Sequence, residues 1–206
     1  MVIQSSLYFL STLSQPIIIE LNEVPDYEGK QVVVEGTVTK HFTTTFGGHI
    51  INIKDMNNQS NFEVIVFVEE ETTVEYGDKI KATGQVQKYN DEWEVVINDV
   101  RFVEILQKWN NITFPLWQLA EKPSKYIGIN INTTGIVERD YNNYFYLIDS
   151  EEKHSIFVSY DASQFHNFTQ GDTVQVQGKF VYDEETLRFK INTEEEKHQI
   201  FVVEPE

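Results

Sequence analysis

The chain has 206 residues, of which 40% are hydrophobic and 13% aromatic, so it is long enough for one or two domains with cores of ordinary size. It contains no cysteine, which excludes disulfides, thiolate metal sites and cysteine nucleophiles. The net charge of −17 divides into −9 for residues 1–110 and −8 for residues 111–206, so neither half is a basic domain suited to phosphate.

The N-terminal residues lack the usual targeting signals. No Lys or Arg precedes Lys30, whereas a signal peptide begins with a basic region. No apolar run approaches the roughly 18 residues of a membrane span. We therefore expect a cytoplasmic protein without a membrane span, although an exported form that has lost its leader would look the same.

Alternating apolar residues predict five strands in the first half of the chain. A period of two over short runs that are bounded by turn residues is typical of strands. In chain order the runs are Val32, Val34, Gly36 and Val38; Ile51 and Ile53; Phe62, Val64, Val66 and Val68; Ile80, Ala82, Gly84 and Val86; and Val95 and Ile97 followed by 100–105.

The second half repeats this order. Its runs are Ile131, Thr133, Gly135 and Val137; Phe145 and Leu147; Ile156 and Val158; Val174, Val176, Gly178 and Phe180; and Leu187, Phe189 and Ile191. Ahead of these strands, residues 116–121 are expected to form about one helical turn. Each copy thus has five strands, with its widest gap between the third and fourth.

Matched residues at a constant offset of 94 indicate an internal repeat. Asp55, Val64, Gly77, Asp78, Gly84, Ile97 and Asn98 recur as Asp149, Val158, Gly171, Asp172, Gly178, Ile191 and Asn192. The matches fall on Gly-Asp turns, strand ends and glycines inside strands. Interior glycines weaken a strand unless it must bend or approach another chain closely, as at the corners of a small barrel.

These observations predict an all-β protein made of two tandem five-stranded Greek-key barrels. The first barrel, with an N-terminal extension, is assigned to residues 1–107. A linker follows at 108–115, and the second barrel spans 116–206. Trp109 and Phe114 in the linker suggest that it is packed.

Three stretches in each copy of the repeat carry a family resemblance: "GKQVVVEGTV", "INIKD" and "GDKIKATGQV" in the first, and "GININTTGIV", "YLID" and "GDTVQVQGKF" in the second. With these stretches the chain resembles the OB-fold nucleic-acid-binding family. This family includes anticodon-binding domains and single-strand-binding barrels. The resemblance implies binding through the face of the second and third strands and through the loops that join strands 1–2 and 4–5. Aromatic rings would stack on bases and cations would contact phosphates.

In the first barrel, the resemblance places seven candidate contact residues in these two loops. They are Lys40, His41, Phe42, Phe46, Lys88, Tyr89 and Trp93. The alternative is that Phe42, Phe46 and Trp93 plug the barrel or dock the other domain. If one barrel alone binds a strand, the first is favoured at this point.

In the second barrel, the candidates in the loop "ERDYNNYFY" are Arg139, Tyr141 and Tyr144. Arg139 lies between Glu138 and Asp140, so a surface ion pair is the alternative role for it. The other loop, "YDEET", is acidic and would repel phosphate.

No motif indicates catalysis or a bound cofactor. The five histidines show no ligand spacing, and the glutamate runs 69–71 and 194–196 would alternate faces on an extended chain, which makes them poor chelators. We expect neither an enzyme, a metal nor a cofactor, although a deep polar pocket would favour a small-ligand carrier or an enzyme.

The sequence is compatible with two functions. The first is binding of single-stranded DNA or RNA. The second is an acidic interaction or accessory module whose barrels bind a basic protein partner.

Overall fold

The computed structural model describes residues 15–57, 62–161 and 168–203. The chain divides into two compact units between Leu106 and Gln107. Each unit is built from strands, as the sequence predicts, and each is an OB-like barrel of the expected all-β class. Most of the predicted N-terminal extension, residues 1–14, lies outside the described residues.

The described residues of the first unit form seven strands and two 3-10 helices. The strands are β1 (Ile17–Ile18), β2 (Gln31–Thr43), β3 (His49–Lys54), β4 (Glu63–Val68), β5 (Lys79–Tyr89), β6 (Glu92–Ile97) and β7 (Val103–Gln107). The 3-10 helices are Leu21–Tyr27 and Val100–Phe102. The apolar run at 95–105, which the alternation treats as one strand, is divided by the second of these helices.

The second unit has the same order of strands. They are β8 (Thr113–Phe114), β9 (Asn130–Asp140), β10 (Tyr144–Ile148), β11 (Ser155–Ser159), β12 (Thr173–Asp183), β13 (Arg188–Asn192) and β14 (Gln199–Val202). Its helical segments are the α-helix Leu116–Glu121, which the sequence predicts, and the 3-10 helices Trp109–Asn111 and Pro123–Lys125.

Five strands of each unit close into a ring. In the first unit the order is β2-β3-β4-β6-β5, and β5 pairs back to β2. In the second unit the order is β9-β10-β11-β13-β12, and β12 pairs back to β9. In both rings the third and fifth strands are parallel and the other neighbours are antiparallel.

Each ring is extended by two short strands, of which β7 is the end of the predicted run at 95–105 and the other three match none of the predicted runs. β1 and β8 pair in parallel with the first barrel strand of their unit, while β7 and β14 flank the fourth. The segment assigned as a linker, 108–115, is therefore the counterpart of the residues that precede the first barrel. Trp109 in this segment is buried, so the segment packs against the second unit and is not a free linker.

Strand-interior glycines close the rings, as the repeat suggested. A Cβ on Gly178 would lie 2.7 Å from the backbone oxygen of Asn192 on β13. Gly84 faces Val96 of β6 in the same way, with even less room. The fourth and fifth barrel strands therefore approach each other at a place where only glycine fits.

The barrel interiors differ in composition. In the first unit the buried apolar core is aliphatic, with Val32, Val34, Ile51, Ile53 and Ile97 among its members. The second core adds aromatic rings, which are Phe145, Tyr160, Phe168 and Phe180. No helix among the described residues has the length and apolarity that crossing a bilayer requires.

Candidate functional site

A β-bulge at the same place in both barrels decides which side chains face outward. The register between β2 and β3 shifts between Val38 and Lys40, so that Lys40 lies opposite Asn52. In the second barrel Val137 pairs with Leu147 and Arg139 pairs with Tyr146, so Glu138 is the additional residue. A bulge reverses the alternation of the strand beyond it. Lys40 and Arg139 are therefore equivalent residues on the outer face.

In the second barrel, one row of cross-strand neighbours runs over β9, β10, β11 and β13. Its members are Arg139, Tyr146, Phe157 and Lys190. Two aromatic side chains thus lie side by side with a cation at each end. We call this set the cation–aromatic row.

Two further tyrosines extend the aromatic surface. The rings of Tyr141 and Tyr144 stack at a centroid distance of 4.5 Å, and Tyr144 stacks on Phe157 at 4.8 Å. Tyr146 meets Phe157 edge-on at 5.6 Å. Tyr141 is exposed, whereas Tyr144, Tyr146 and Phe157 are half-buried.

A third cation lies against these rings. The guanidinium carbon of Arg188 is 5.1 Å from the ring centroid of Phe157, and its Nη1 is 3.4 Å from the hydroxyl of Tyr146. Arg188 begins β13 and is exposed. A guanidinium held beside an aromatic face is a suitable partner for phosphate or for a stacked base.

Carboxylates offset part of this positive charge. Arg139 lies 3.9 Å from Glu138, as the alternative role for it anticipates. Lys190 donates a hydrogen bond to Asp183 at 2.8 Å. That hydrogen bond is the main cause that lowers the pKa of Asp183 to about 2, with the hydrogen bond from the backbone N–H of Thr186 adding to it.

In the first barrel, most candidate residues lie in strands rather than in loops. β2 extends to Thr43, so Lys40, His41 and Phe42 are strand residues, and the connection to β3 is a tight turn at residues 44–48. Lys88 and Tyr89 end β5, and Trp93 lies in β6. The turn between them has left-handed residues Asn90 (φ 49°) and Asp91 (φ 67°), as in a type I′ hairpin.

The two lysines among these candidates each form an ion pair within the first barrel. Lys40 Nζ is 4.0 Å from Glu63, and Lys88 Nζ is 3.1 Å from Asp91. Lys88 also lies 5.7 Å from the ring centroid of Trp93, which packs against the core. Packing is therefore part of the role of Trp93.

His41 faces inward at the end of the barrel. Its Nδ1 lies 3.0 Å from the carbonyl oxygen of Val74, and its Nε2 lies 2.9 Å from Nδ1 of His49. Both ring nitrogens thus have partners inside the first unit. The bulge explains this orientation, because it places Lys40 and Phe42 outward and the residue between them inward.

The remaining candidates, Phe42, Phe46 and Tyr89, are exposed. Phe46 at the tip of the β2–β3 hairpin is 98% exposed, Phe42 is 52% exposed and Tyr89 is 63% exposed. None of the three therefore plugs the barrel.

Four residues of the second-barrel surface were not among the candidates: Tyr146, Phe157, Arg188 and Lys190. Tyr144 and Tyr146 alternate with the core residues Phe145 and Leu147, so their shared outward direction was visible in the sequence. Phe157 and Arg188 come to them through the β10–β11 and β11–β13 pairings, which the alternation leaves open.

Two observations concern metal and small-ligand sites in the described parts of the chain. Residues 15–57, 62–161 and 168–203 contain no group of three His, Asp or Glu side chains placed to hold a metal ion. A cavity of about 380 Å³ lies beside β9 and β10, with Glu138, Lys153 and His154 in its lining. The Nδ1 atom of His154 forms a hydrogen bond with Asp149 Oδ2 at 2.7 Å, and this hydrogen bond is the main cause that lowers the pKa of the Asp149 carboxyl.

No protein-family model and no curated protein matches this chain. Among known structures it is similar to asparaginyl-tRNA synthetase from Pyrococcus horikoshii, at 20% identity and a TM-score of 0.38, over 52% of this chain and 26% of the synthetase. A murine DNA binding protein bound with double-stranded DNA matches at 13% identity and a TM-score of 0.37, over 85% of this chain and 96% of that one. The single-stranded DNA binding protein from Thermus aquaticus matches at 15% identity and a TM-score of 0.30, over 85% and 94%. The chain thus spans about a quarter of the length of the synthetase. The fold of the chain is established by the pairing of its own strands.

Proposed function

We propose that this chain is a non-enzymatic module that binds single-stranded nucleic acid through the outer face of its second barrel. The observation that carries the proposal is the cation–aromatic row, with Arg188 beside it. Rings that stack on bases, together with cations that meet phosphates, are the combination by which barrels hold single strands.

The geometry favours an unpaired strand over a duplex. Neighbouring strands of a sheet lie about 4.8 Å apart, so the four strands of the row span about 14 Å, enough for two or three nucleotides. The aromatic rings of Tyr146 and Phe157 lie on the outer face of two neighbouring strands. Stacking on such rings requires bases whose faces are open.

The charges predict modest affinity. Arg139, Arg188 and Lys190 are the cations at this surface, and Glu138 and Asp183 counter two of them. The β12–β13 hairpin adds Glu184 and Glu185, which would repel phosphate there. A local cluster can still attract a strand to an acidic protein, because the potential at the site decides the contact.

The proposal is tested by fluorescence anisotropy with labelled oligothymidylate and oligouridylate, with a duplex as the control. We expect saturable binding to the single strands that weakens as salt is added. If all three cations meet phosphates, log K should fall with log salt at a slope of about −2.

An Arg139→Gln/Arg188→Gln variant should bind more weakly and give a flatter salt dependence, because it would release fewer counterions. Equal affinity for the duplex, or no binding at low salt, would contradict the proposal.

A further inference from the structure

The outer face of the first barrel carries an apolar surface beside the row that is equivalent to the cation–aromatic row. Phe42, Ile50, Phe67 and Val96 are successive cross-strand neighbours over β2, β3, β4 and β6. A Cβ on Gly48 would lie 2.8 Å from the ring of Phe67, so this ring lies against the β2–β3 turn. Phe46 projects from the same turn. We call these five side chains the apolar strip, namely Phe42, Phe46, Ile50, Phe67 and Val96.

The exposure of the strip is large at the hairpin end. Phe46 and Phe42 are the exposed members, and Ile50, Phe67 and Val96 are half-buried. A phenylalanine left in water forgoes a substantial hydrophobic gain that burial would supply. Adjacent exposed rings of this kind mark interaction surfaces more often than isolated ones do.

Carboxylates border the strip. The neighbouring row is Lys40, Asn52, Ile65 and Glu94, which ends in an acid where the second barrel has Lys190. Glu63, which pairs across the strands with Lys54, accepts hydrogen bonds from Thr39 at 3.3 Å and Asn52 at 3.4 Å. The exposed glutamates 69–71 follow β4 directly.

The balance of charge around the strip is therefore negative. The cations here are Lys40, Lys54 and Arg101, which interacts with Glu70, against the carboxylates of Glu63, Glu94 and residues 69–71, of which Glu94 is buried. Lys40 is also held 4.0 Å from Glu63. This surface would repel the phosphates that the second barrel is suited to meet.

We propose that the apolar strip docks a polypeptide segment of a partner protein, in which Lys or Arg side chains stand beside apolar ones. The apolar side chains cover the strip, and the cations meet the bordering carboxylates. A second copy of this chain is a poor occupant, because its own net charge of −17 would oppose the contact. The inference is independent of nucleic acid binding, since it concerns the other barrel.

The test is an anisotropy titration of the full chain with a labelled peptide in which Lys alternates with Leu. Two comparison peptides keep the length but replace either Lys by Glu or Leu by Ser. We expect saturable binding of the Lys–Leu peptide only. A Phe42→Ser/Phe46→Ser variant should bind it on the order of tenfold more weakly, equivalent to about 1.4 kcal/mol.

The matched control is Phe102→Ser, which alters a phenylalanine of the same unit that is 55% exposed but lies outside the strip. It should leave peptide affinity unchanged within about twofold, since it removes none of the five side chains of the strip. A Glu69→Gln/Glu71→Gln variant, which keeps the apolar side chains, should weaken binding and reduce its dependence on salt.

Four results would overturn the proposal. The Lys–Ser peptide could bind as well as the Lys–Leu peptide, or the Phe42→Ser/Phe46→Ser variant could retain full affinity. Oligothymidylate binding could be lost in that variant, which would assign the strip to nucleic acid. Sedimentation could show a dimer of the wild type that the variant abolishes, which would assign it to a second copy.

Discussion

The cation–aromatic row of the second barrel consists of Arg139, Tyr146, Phe157 and Lys190. The equivalent row on the outer face of the first barrel consists of Lys40, Asn52, Ile65 and Glu94. The two rings have the same strand order, the same parallel pair and a bulge at the same point. The difference therefore lies in side chains that the fold does not need. A repeated barrel can thus keep its closure while one outer face carries cations and aromatic rings and the other carries apolar and acidic side chains.

The largest expected effect on stability comes from a substitution in the core of the second barrel. Phe145 is fully buried in the second core, with ring contacts to Phe168 at 5.0 Å and Tyr160 at 5.8 Å. Phe145→Ala should lower the free energy of unfolding of the second unit by about 3–5 kcal/mol, because it removes a large buried ring and leaves a cavity. Peptide-resolved hydrogen exchange would measure this unit by unit.

The comparison variant is Ile51→Val in the aliphatic first core, which should cost about 0.5–1.5 kcal/mol. The account of two separate cores is wrong if Phe145→Ala accelerates exchange in both units alike.

Replacing the glycine where the fourth and fifth strands approach each other should destabilise both barrels to a similar extent. Gly178→Ala would place a methyl group 2.7 Å from the backbone oxygen of Asn192, and Gly84→Ala meets β6 in the same manner. Each change should destabilise its own unit by about 1–3 kcal/mol, because a ladder strand cannot move aside freely. Thermal unfolding of each variant measures the loss.

Thr134→Ala, at an exposed position of β9, serves as the control and should stay within about 0.5 kcal/mol of the wild type. A neutral result for Gly178→Ala with a costly Gly84→Ala would show that the second ring closes less tightly than the first.

The smallest expected effect concerns pH at the β12–β13 hairpin. The pKa of Asp183 is held at about 2, chiefly by the hydrogen bond from Lys190, against the ordinary 3.8. Because the folded pKa is the lower one, the carboxylate stabilises the folded second barrel above about pH 4. This contribution is lost as the pH falls toward 2.

An NMR titration of the Asp183 carboxyl would measure that pKa, and Asp183→Asn should remove this part of the acid dependence. A carboxyl that titrates at its ordinary value would show that the pair with Lys190 is not formed in solution.

The sequence predicts the fold well because its signals are local. Alternation identifies the barrel strands, and glycines at a constant offset mark the places where strands approach closely, as at Gly84 and Gly178. The two-residue strands β1 and β8 are too short for any period to be visible. The 3-10 helix Val100–Phe102 interrupts an apolar run that reads as continuous.

The surface is harder to predict because it depends on register. The bulge beside Lys40 changes which side chains face outward, so His41 turns inward between two outward neighbours. Phe157 and Arg188 reach Tyr146 only through pairings between separate strands. No local pattern specifies such pairings, so sequence reasoning favoured the aromatic first-barrel loops.

The contrast between the two outer faces is tested most directly by paired variants at equivalent positions. Tyr146→Ala/Phe157→Ala removes the rings of the second barrel, and Asn52→Ala/Ile65→Ala changes the same two positions of the first. All four residues are outward and at most half-buried, and circular dichroism would check that each variant folds. Affinity for labelled oligothymidylate is then compared at one low salt concentration.

We expect the second-barrel variant to lose affinity by about thirtyfold or more, since each stacked base contributes roughly 1–3 kcal/mol. The first-barrel variant should remain within about twofold of the wild type. Equal losses in the two variants, or a larger loss from the first barrel, would contradict the assignment of the nucleic-acid surface to the second barrel.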